Sequence, residues 1–538
     1  MTCTFKNCTN NEFTPHKECA LHCVKDTYPN DWRKGILSEF YKLLSIYIAD
    51  FIDSTATPMF RTRSGCTLPL PKPEPNTSSE TEISQRIRNE NLNEEEIRKL
   101  ISKRSLNELI ILQEIKFPAR KDRDSFDYFK LLELLNEVHL LDCHLYIGNW
   151  QVEDVSFFFE ACIFYNWFDI TPIKMLSKAT NSLFSECEFK NKVIVSGIET
   201  NNIFEDILFS GCKFKKLLRL ENIVFKKEPF LEEKGIAANI FISNLEISDC
   251  KFEEIFKLNN TTLASFLIEN TDLISGFQLT KTSFNIFKCI NVTIEGVFNA
   301  SESHFSYAKF ERVKFYDVAD FEKAKFGDAD KMVIASYPVT ATFKFVTFMT
   351  ASNFKKVKFY YGLDFEDVDL REQPNFLKSK INPYNTNRET FRIIKNSFDS
   401  RGNTLEANRF FVQEMKAFKQ ELKEEGSSWD RLVYNLNDSI SEFGANYIRP
   451  ILILLVSIII YTCVDYLHKE YFSSHNYFIS GRLEPFWNFL NSMAKNFLPF
   501  SRFLASKDGM EFISLLFYIW FAVLIWQIIV AVKRHTQR

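Results

Sequence analysis

One periodicity constrains this chain more than anything else in it: a large apolar residue every five positions, with a small residue two places before it. Ser303-x-Phe305, Ala308-x-Phe310 and Val313-x-Phe315 step by five; Ala319-x-Phe321 follows by six and Ala324-x-Phe326 by five. Ala341-x-Phe343, Val346-x-Phe348, Ser352-x-Phe354, Val357-x-Phe359, Leu363-x-Phe365 and Val368-x-Leu370 continue the pattern, making eleven units between 303 and 370. A step of five matches neither the helical period of 3.6 nor the strand period of 2. It matches a polygonal solenoid. Each face takes five residues, the large residue fills the axis, and the small one lets the corner close. Stacked coils then pair as short parallel strands about 4.8 Å apart. The ten phenylalanines named here are the candidate core.

Weaker units extend the repeat backwards. Leu263, Ile268 and Leu273 step by five, as do Phe204, Phe209 and Phe214, and Phe184 and Phe189. The first clear units are Val138-x-Leu140 and Cys143-x-Leu145, which places the solenoid at 138–370, with interruptions near 226–240 and 327–340. Phenylalanine numbers 56 of 538 residues, as one core position used repeatedly by one residue type requires. Glycine numbers only 15. Neither a dinucleotide-binding fingerprint nor a phosphate-binding loop is present.

Twelve cysteines divide into two kinds. Cys143, Cys162, Cys187, Cys212 and Cys250 each stand two residues before a large apolar residue, which is a packing pattern. Cys3, Cys8, Cys19 and Cys23 crowd the first 23 residues. With His22 they give Cys-x4-Cys-x10-Cys-x2-His, two short-range pairs that can close a tetrahedron of soft ligands around zinc. Cys3, Cys8, Cys19 and His22 are the candidate ligands, with Cys23 and His16 as alternatives. Four protein ligands make a structural site, and so short a segment takes its folding energy from the metal.

The C-terminus segregates the apolar residues. Phe512 to Val532 is uncharged and long enough for a hydrocarbon core of about 30 Å. Pro450 to Leu467 is a second expected span, interrupted only by Asp465, which must face water or protein. Gln527 is the one strongly polar side chain of the later span and is expected to turn inward against a second copy. Between them, Glu484 to Phe503, with Trp487 and Lys495, reads as an interfacial or re-entrant element. Asp465, Gln527, Trp487 and Lys495 are the candidate membrane or pore residues. No apolar leader opens the chain, so the large N-terminal part is expected in the cytosol, with both termini on that side.

The remaining segments connect these parts. Residues 1–30 form the Cys/His module. Residues 31–54 form an amphipathic helix, with Ile36, Phe40, Leu43, Leu44 and Tyr47 on one side. Residues 55–82 form a Pro-rich flexible linker, and residues 83–137 a charged helical segment that caps the first coil. Residues 387–424 form a helical hairpin turning at Arg401-Gly402-Asn403, and the spans follow at 450–467 and 512–532. His139 and His144 are expected at surface corners.

The repeat resembles the pentapeptide-repeat family, whose members fold as right-handed quadrilateral parallel β-helices. With the Cys/His module before it and two spans after it, the whole is similar to bacterial membrane-anchored members of that family. The resemblance implies a mainly β fold with helical caps, an inner-membrane location, a protein partner and homo-oligomers. It also implies a cytosolic sensing or scaffold domain joined to a module that acts on the membrane, in stress or phage defence. Some relatives carry a potassium-channel-like pore; no glycine lies between Gly481 and Gly509 here, so that carbonyl filter is absent. Other relatives imitate DNA and bind topoisomerases. Residues 138–370 carry 25 basic against 32 acidic residues, a weak excess for that role. The whole chain carries 66 Lys and Arg against 69 Asp and Glu, so nucleic acid is not an expected partner. No catalytic motif is present, so the chain reads as a non-enzyme, and a passive membrane-tethered scaffold is the alternative reading.

Overall fold

The computed structural model describes residues 2–5, 8–14, 16–25, 30–53, 60–61, 67–68, 83–103, 109–119, 124, 126–150, 152, 155–170, 182–197, 202–231, 240–241, 243–328, 341–383, 385–425, 427–469, 484–495, 504, 507 and 509–536. They form two compact units, residues 1–361 with 367–380 and residues 362–366 with 381–538.

The first unit is a parallel β-solenoid of about nine turns. Its sheets contain only equivalent strands of successive coils. Leu263 pairs with Phe284 and Phe284 with Phe305, and the strands around them run in the same register. Between 244 and 328 that fixes a coil of 21 residues, seen also in the side-chain ladder Asp249–Asn270–Asn291, whereas earlier coils are longer or shorter, as in the 25-residue step from Phe184 to Phe209. The one coil that crosses 329–340 steps by 33, as in the Asn353–Asp320 contact, yet Phe315 still meets Phe348 in register, and the next coil steps by 22. The difference falls on 329–340, which lie outside the described residues, as does most of the expected interruption near 226–240.

The phenylalanines stack along the axis. Rings of Phe310 and Phe343 lie 4.7 Å apart and nearly parallel, Phe315 and Phe348 4.9 Å, and Phe326 and Phe359 4.9 Å. All ten candidate core phenylalanines are buried. The small residue two places earlier does more than leave room. The thiols of Cys143, Cys162, Cys187 and Cys212 each donate to a carbonyl of the preceding coil, at 3.1–3.4 Å. Thr282 and Ser303 do the same with hydroxyls. Burial pushes the Cys143, Cys162 and Cys187 thiols far up, so these are inert packing cysteines.

Corners are turned by residues with left-handed backbone. Asp142, Ala161, Glu186, Gly211, Asp249, Asn270, Asn291 and Arg312 have φ between 46° and 62° and stand directly before the small residue. A second column runs Asn260, Lys281, Glu302, Lys323, Lys356 and Lys378. Glycine would be the unstrained choice. Its scarcity means that stacking overrides a local cost of order 1 kcal/mol per corner.

Parallel pairing starts earlier than 138 and ends later than 370. Leu109–Gln113 pairs with Glu137–Leu141, and Lys116–Phe117 with His144–Leu145. Segment 83–137 is therefore not one helical cap. It holds helices α2 (Ile83–Asn89) and α3 (Glu94–Ser102), two strands of the first coil, and the single helical turn α4 (Phe129–Leu132). The run Leu109-Ile-Ile-Leu carries no alternation, because every side of it is covered, so periodicity alone cannot separate strand from helix. At the far end, Phe376 stacks on Phe354 at 4.8 Å and the Lys380 amide bonds the Val357 carbonyl.

Helix α1 (Asn30–Asp53) lies over the first coils. It buries Ile36, Leu37, Phe40, Tyr41, Leu44 and Ile48, while Leu43 and Tyr47 are only half-buried. Phe51 packs on Leu109, Ile111 and Phe158. This cover overturns the expectation for His139. It is 3% exposed, tilted against the Phe158 ring at 4.7 Å, with Nε2 3.1 Å from a carboxylate oxygen of buried Glu160. His144 is half-buried, its Nδ1 3.0 Å from the Tyr165 hydroxyl. Replacing Glu160 by Ala would take the carboxylate away from buried His139; we expect a loss of about 1–3 kcal/mol, read by denaturant unfolding. Of the expected linker, Phe60–Arg61 and Thr67–Leu68 pair antiparallel, and the rest lies outside the described residues.

The second unit is helical: α5 (Arg388–Asp399), α6 (Thr404–Glu425), α7 (Ser428–Ser441), α8 (Ile448–Leu467), α9 (Glu484–Lys495) and α10 (Glu511–Thr536). Asn387 caps α5 through its side chain. Phe391, Ile394 and Phe398 face α6. On α6, Ala407, Phe410 and Ala417 are buried; of the expected Phe411, Met415 and Phe418, all half-buried, Phe418 meets α5 through the Arg388 guanidinium 4.1 Å from its ring centre. Phe398 stacks on Phe410 at 5.6 Å. Helices α8 and α10 are long and apolar enough to cross a membrane, and only 11% and 17% of their most apolar windows are buried. A core helix would be covered; these are not.

Candidate metal centre and membrane module

The N-terminal segment folds around its cysteines. The Cys3 amide bonds the Asn10 carbonyl, and a tight turn follows Cys19, where the His22 and Cys23 amides both reach the Cys19 carbonyl. The Cys19 amide itself donates to Cys3 Sγ at 3.1 Å, as an amide does to a metal-bound thiolate. These contacts bring Cys3, Cys8, Cys19 and His22 together, with all four donor atoms within 4.8 Å of one another.

The separations fit a tetrahedral ion. Zinc–sulfur bonds of about 2.3 Å and zinc–nitrogen bonds of about 2.0 Å set sulfurs about 3.8 Å apart and sulfur about 3.5 Å from nitrogen. Cys8 Sγ lies 3.8 Å from Cys19 Sγ. His22 Nδ1 lies 3.7 Å from Cys3 Sγ and 3.3 Å from Cys19 Sγ. Cys23 and His16, the alternatives, are not in this group. Burial lowers the His22 pKa to about 4, so its ring is neutral and able to ligate at neutral pH. Burial also pushes the Cys8 thiol up to about 12, so only a cation would hold it ionised here.

The module is attached to the solenoid by a buried lysine that sequence reading missed. Lys25 is 1% exposed; its Nζ donates to the carbonyls of Leu21, Cys23 and Lys116 at 3.3, 2.9 and 2.7 Å and sits 4.6 Å from the Phe40 ring centre. The Lys116 amide bonds the Leu21 carbonyl, and Lys116 Nζ pairs with Glu18. Metal loop, α1 and first coil thus close over one another. A lone lysine in a cysteine-rich segment carries no signal by itself, since its partners are carbonyls.

In the second unit the candidate membrane residues are partnered within the chain. Gln527 accepts a hydrogen bond from Ser441 Oγ at 2.7 Å. Asp465 pairs with Lys469 and Lys507, each at 2.8 Å. Trp487 donates its ring N–H to the Gly509 carbonyl at 3.3 Å, beside Asn491, which also holds that carbonyl and the Phe512 amide. Lys495 ends α9, and its side chain is outside the described residues. Between α8 and α10, Trp520 donates to Ser457, and Tyr461 reaches Ser514 and Tyr518. None of these helix-to-helix pairs was legible, because no sequence pattern says which faces of two all-apolar helices meet.

One exposed feature of the solenoid stands out. Val297 and Val318 fall beside each other on successive coils, and Tyr316 and Met349 on the neighbouring column, all of them exposed. Family models, curated proteins and solved structures give no match to this chain.

Proposed function

We propose that this chain is a membrane-tethered scaffold of the pentapeptide-repeat type, without catalytic activity. Its solenoid, right-handed and quadrilateral in this reading, presents a surface to a protein partner in the cytosol. Helices α8 and α10 anchor it in the inner membrane with both termini on the cytosolic side. Cys3, Cys8, Cys19 and His22 hold a structural zinc that completes the N-terminal cap. The apolar columns at Val297, Tyr316, Val318 and Met349 support the partner surface.

The observation that carries tether over pore is the internal pairing of the polar side chains in the apolar helices. A polar side chain in hydrocarbon marks a pathway when it is left for water or an ion. Here Gln527, Ser457, Tyr461 and Trp520 meet partners in the same chain. The motive for a homo-oligomer through Gln527 weakens accordingly, and α9 reads as interfacial. The effector reading, an oligomer that conducts or disrupts, is tested directly. Purified protein in liposomes is expected to give no ion flux above empty liposomes, and Asp465→Asn and Gln527→Leu to leave that baseline unchanged. Flux that depends on Gln527 overturns the tether and establishes the effector.

A further inference from the structure

Helix α7 was absent from the sequence reading, and it has an apolar face with nothing against it. Trp429, Leu432, Val433 and Leu436 are 77%, 47%, 58% and 45% exposed. At 100° per residue they fall within a sector of about 100°. The opposite face is engaged by α6: Tyr434 packs edge-on against Phe418 at 5.1 Å, and Asp438 pairs with Lys419 at 2.5 Å. Asp430 and Arg431 also lie outside the apolar sector. The helix is therefore amphipathic, with its apolar side turned outward and Tyr434 and Asp438 holding it to α6.

Its end is fixed against the second span. Ser441 Oγ bonds Gln527, and Gln527 lies nine residues before Thr536. At 1.5 Å per residue that is about 13 Å along α10 from its basic end. Further on, Arg534 donates to the Phe443 carbonyl and His535 Nε2 lies 2.7 Å from the Ala445 carbonyl. Glu442, Phe443 and Gly444 all have left-handed backbone, which turns the chain sharply from α7 into α8. The C-terminal end of α7 thus lies beside the apolar part of α10, inside the level of Lys533 and Arg534. Six residues after α7, α8 begins its own exposed apolar surface, with Leu452, Leu455, Val456 and Ile459 more than half exposed.

We propose that α7 is an in-plane interfacial helix whose occupant is the lipid surface, with Trp429, Leu432, Val433 and Leu436 inserted at the boundary of headgroups and acyl chains. The end of α7 is bonded to the apolar part of α10 through Ser441, and six residues of chain join it to the exposed apolar surface of α8, so the medium that covers α8 begins next to α7. An aromatic residue at the outer end of such a face is suited to that boundary. The proposal rests on the reading of α8 and α10 as spans. Its consequence for the scaffold is a third membrane attachment, which fixes the helices next to the spans instead of leaving them on a swivel.

The test uses the full chain, zinc-loaded and carrying Cys66→Ser and Cys463→Ser, reconstituted in phosphatidylcholine vesicles. Single nitroxide labels are placed through Leu432→Cys, Leu436→Cys, Asn435→Cys and, as the depth control, Leu455→Cys. Labels at 432, 436 and 455 are expected to be accessible to oxygen and shielded from a water-soluble nickel chelate, and the label at 435 to show the reverse. Brominated lipids are expected to quench the tryptophan emission of α10 and α7 together, and Trp429→Phe to shrink the quenched part by the share of Trp429 while Trp520 and Trp526 keep theirs. Nickel access at 432 and 436 with 455 shielded overturns this proposal and leaves the spans standing. Nickel access at 455 overturns the spans themselves, and the proposal with them. Dipolar broadening between labels at 432 makes a second copy the occupant and overturns the lipid assignment.

Discussion

Freshly purified protein is expected to contain about one zinc per chain, and Cys3→Ser/Cys19→Ser to lose it together with the fold of the first 25 residues. Structural zinc in small cysteine–histidine sites contributes apparent binding free energies of about 10–16 kcal/mol, so this is the largest single effect we expect. It follows from what the loop would lack without metal. Among its described residues, the buried side chains of the loop are chiefly Cys3, Cys19, Ala20, Leu21, His22, Cys23 and Lys25. That is too little apolar surface to order a chain of this length. The damage would not stay local. Lys25 draws its three carbonyl partners from the loop and from the first coil, so losing the loop withdraws the ammonium from the Lys116 carbonyl and from the Phe40 ring. It also uncovers the first coil, whose open edge invites association with other chains. Size-exclusion chromatography after chelation should therefore show aggregation, and hydrogen exchange should rise at 109–117. Acid should act in the same direction. Burial holds the His22 ring neutral and protons compete with the ion for the ring and the thiolates, so the unfolded chain binds the extra protons and stability is lost as pH falls below the usual imidazole range. Wild-type protein that carries no zinc yet protects residues 3–23 from exchange would overturn the assignment.

The parts that were legible in the sequence are those where one physical rule acts on neighbours in the chain. The five-residue step exposes the solenoid because each coil repeats the same axis position. The Cys/His pairs expose the clustering of Cys3, Cys8, Cys19 and His22 because a tight turn fixes their spacing. The two long apolar helices follow from length and the absence of charge. What stayed hidden depends on partners distant in sequence. His139 looked like a corner residue because nothing local shows that α1 covers that face. Leu109–Gln113 looked helical because burial on all sides erases alternation. Helix α7 was missed although Ser427 caps it and its apolar residues recur at helical spacing, since the expected spans drew the boundary at Pro450. The left-handed corners are an intermediate case. Asn270 and Asn291 could have signalled them, but Lys281, Lys323 and Arg312 occupy equivalent corners, so residue preference alone gives a broken signal.

Phe310→Ala is expected to destabilise the solenoid by about 3–5 kcal/mol, as truncation of a buried aromatic does, while Tyr316→Ala stays within about 0.5 kcal/mol. The pair separates periodicity from mere aromatic content. Phe310 is fully buried and meets Phe343 face to face at 4.7 Å, Phe287 at 5.3 Å and Phe321 at 5.8 Å. Its ring closes one column across three coils, so no single neighbour can move into the vacated space without leaving its own column. Tyr316 follows Phe315 directly, points out of the axis and is 45% exposed. In a stacked array each coil contacts only the coils beside it, so the loss should also be confined in space. Hydrogen exchange in Phe310→Ala should rise first in 284–290 and 341–344, the strands paired on either side, and leave 138–145 protected. Urea unfolding of the two variants gives the magnitudes. Equal damage from both would place the axis at the wrong residue. Uniform exchange along the whole first unit in Phe310→Ala would show that the coils unfold as one body and that the nearest-neighbour account of this solenoid is wrong.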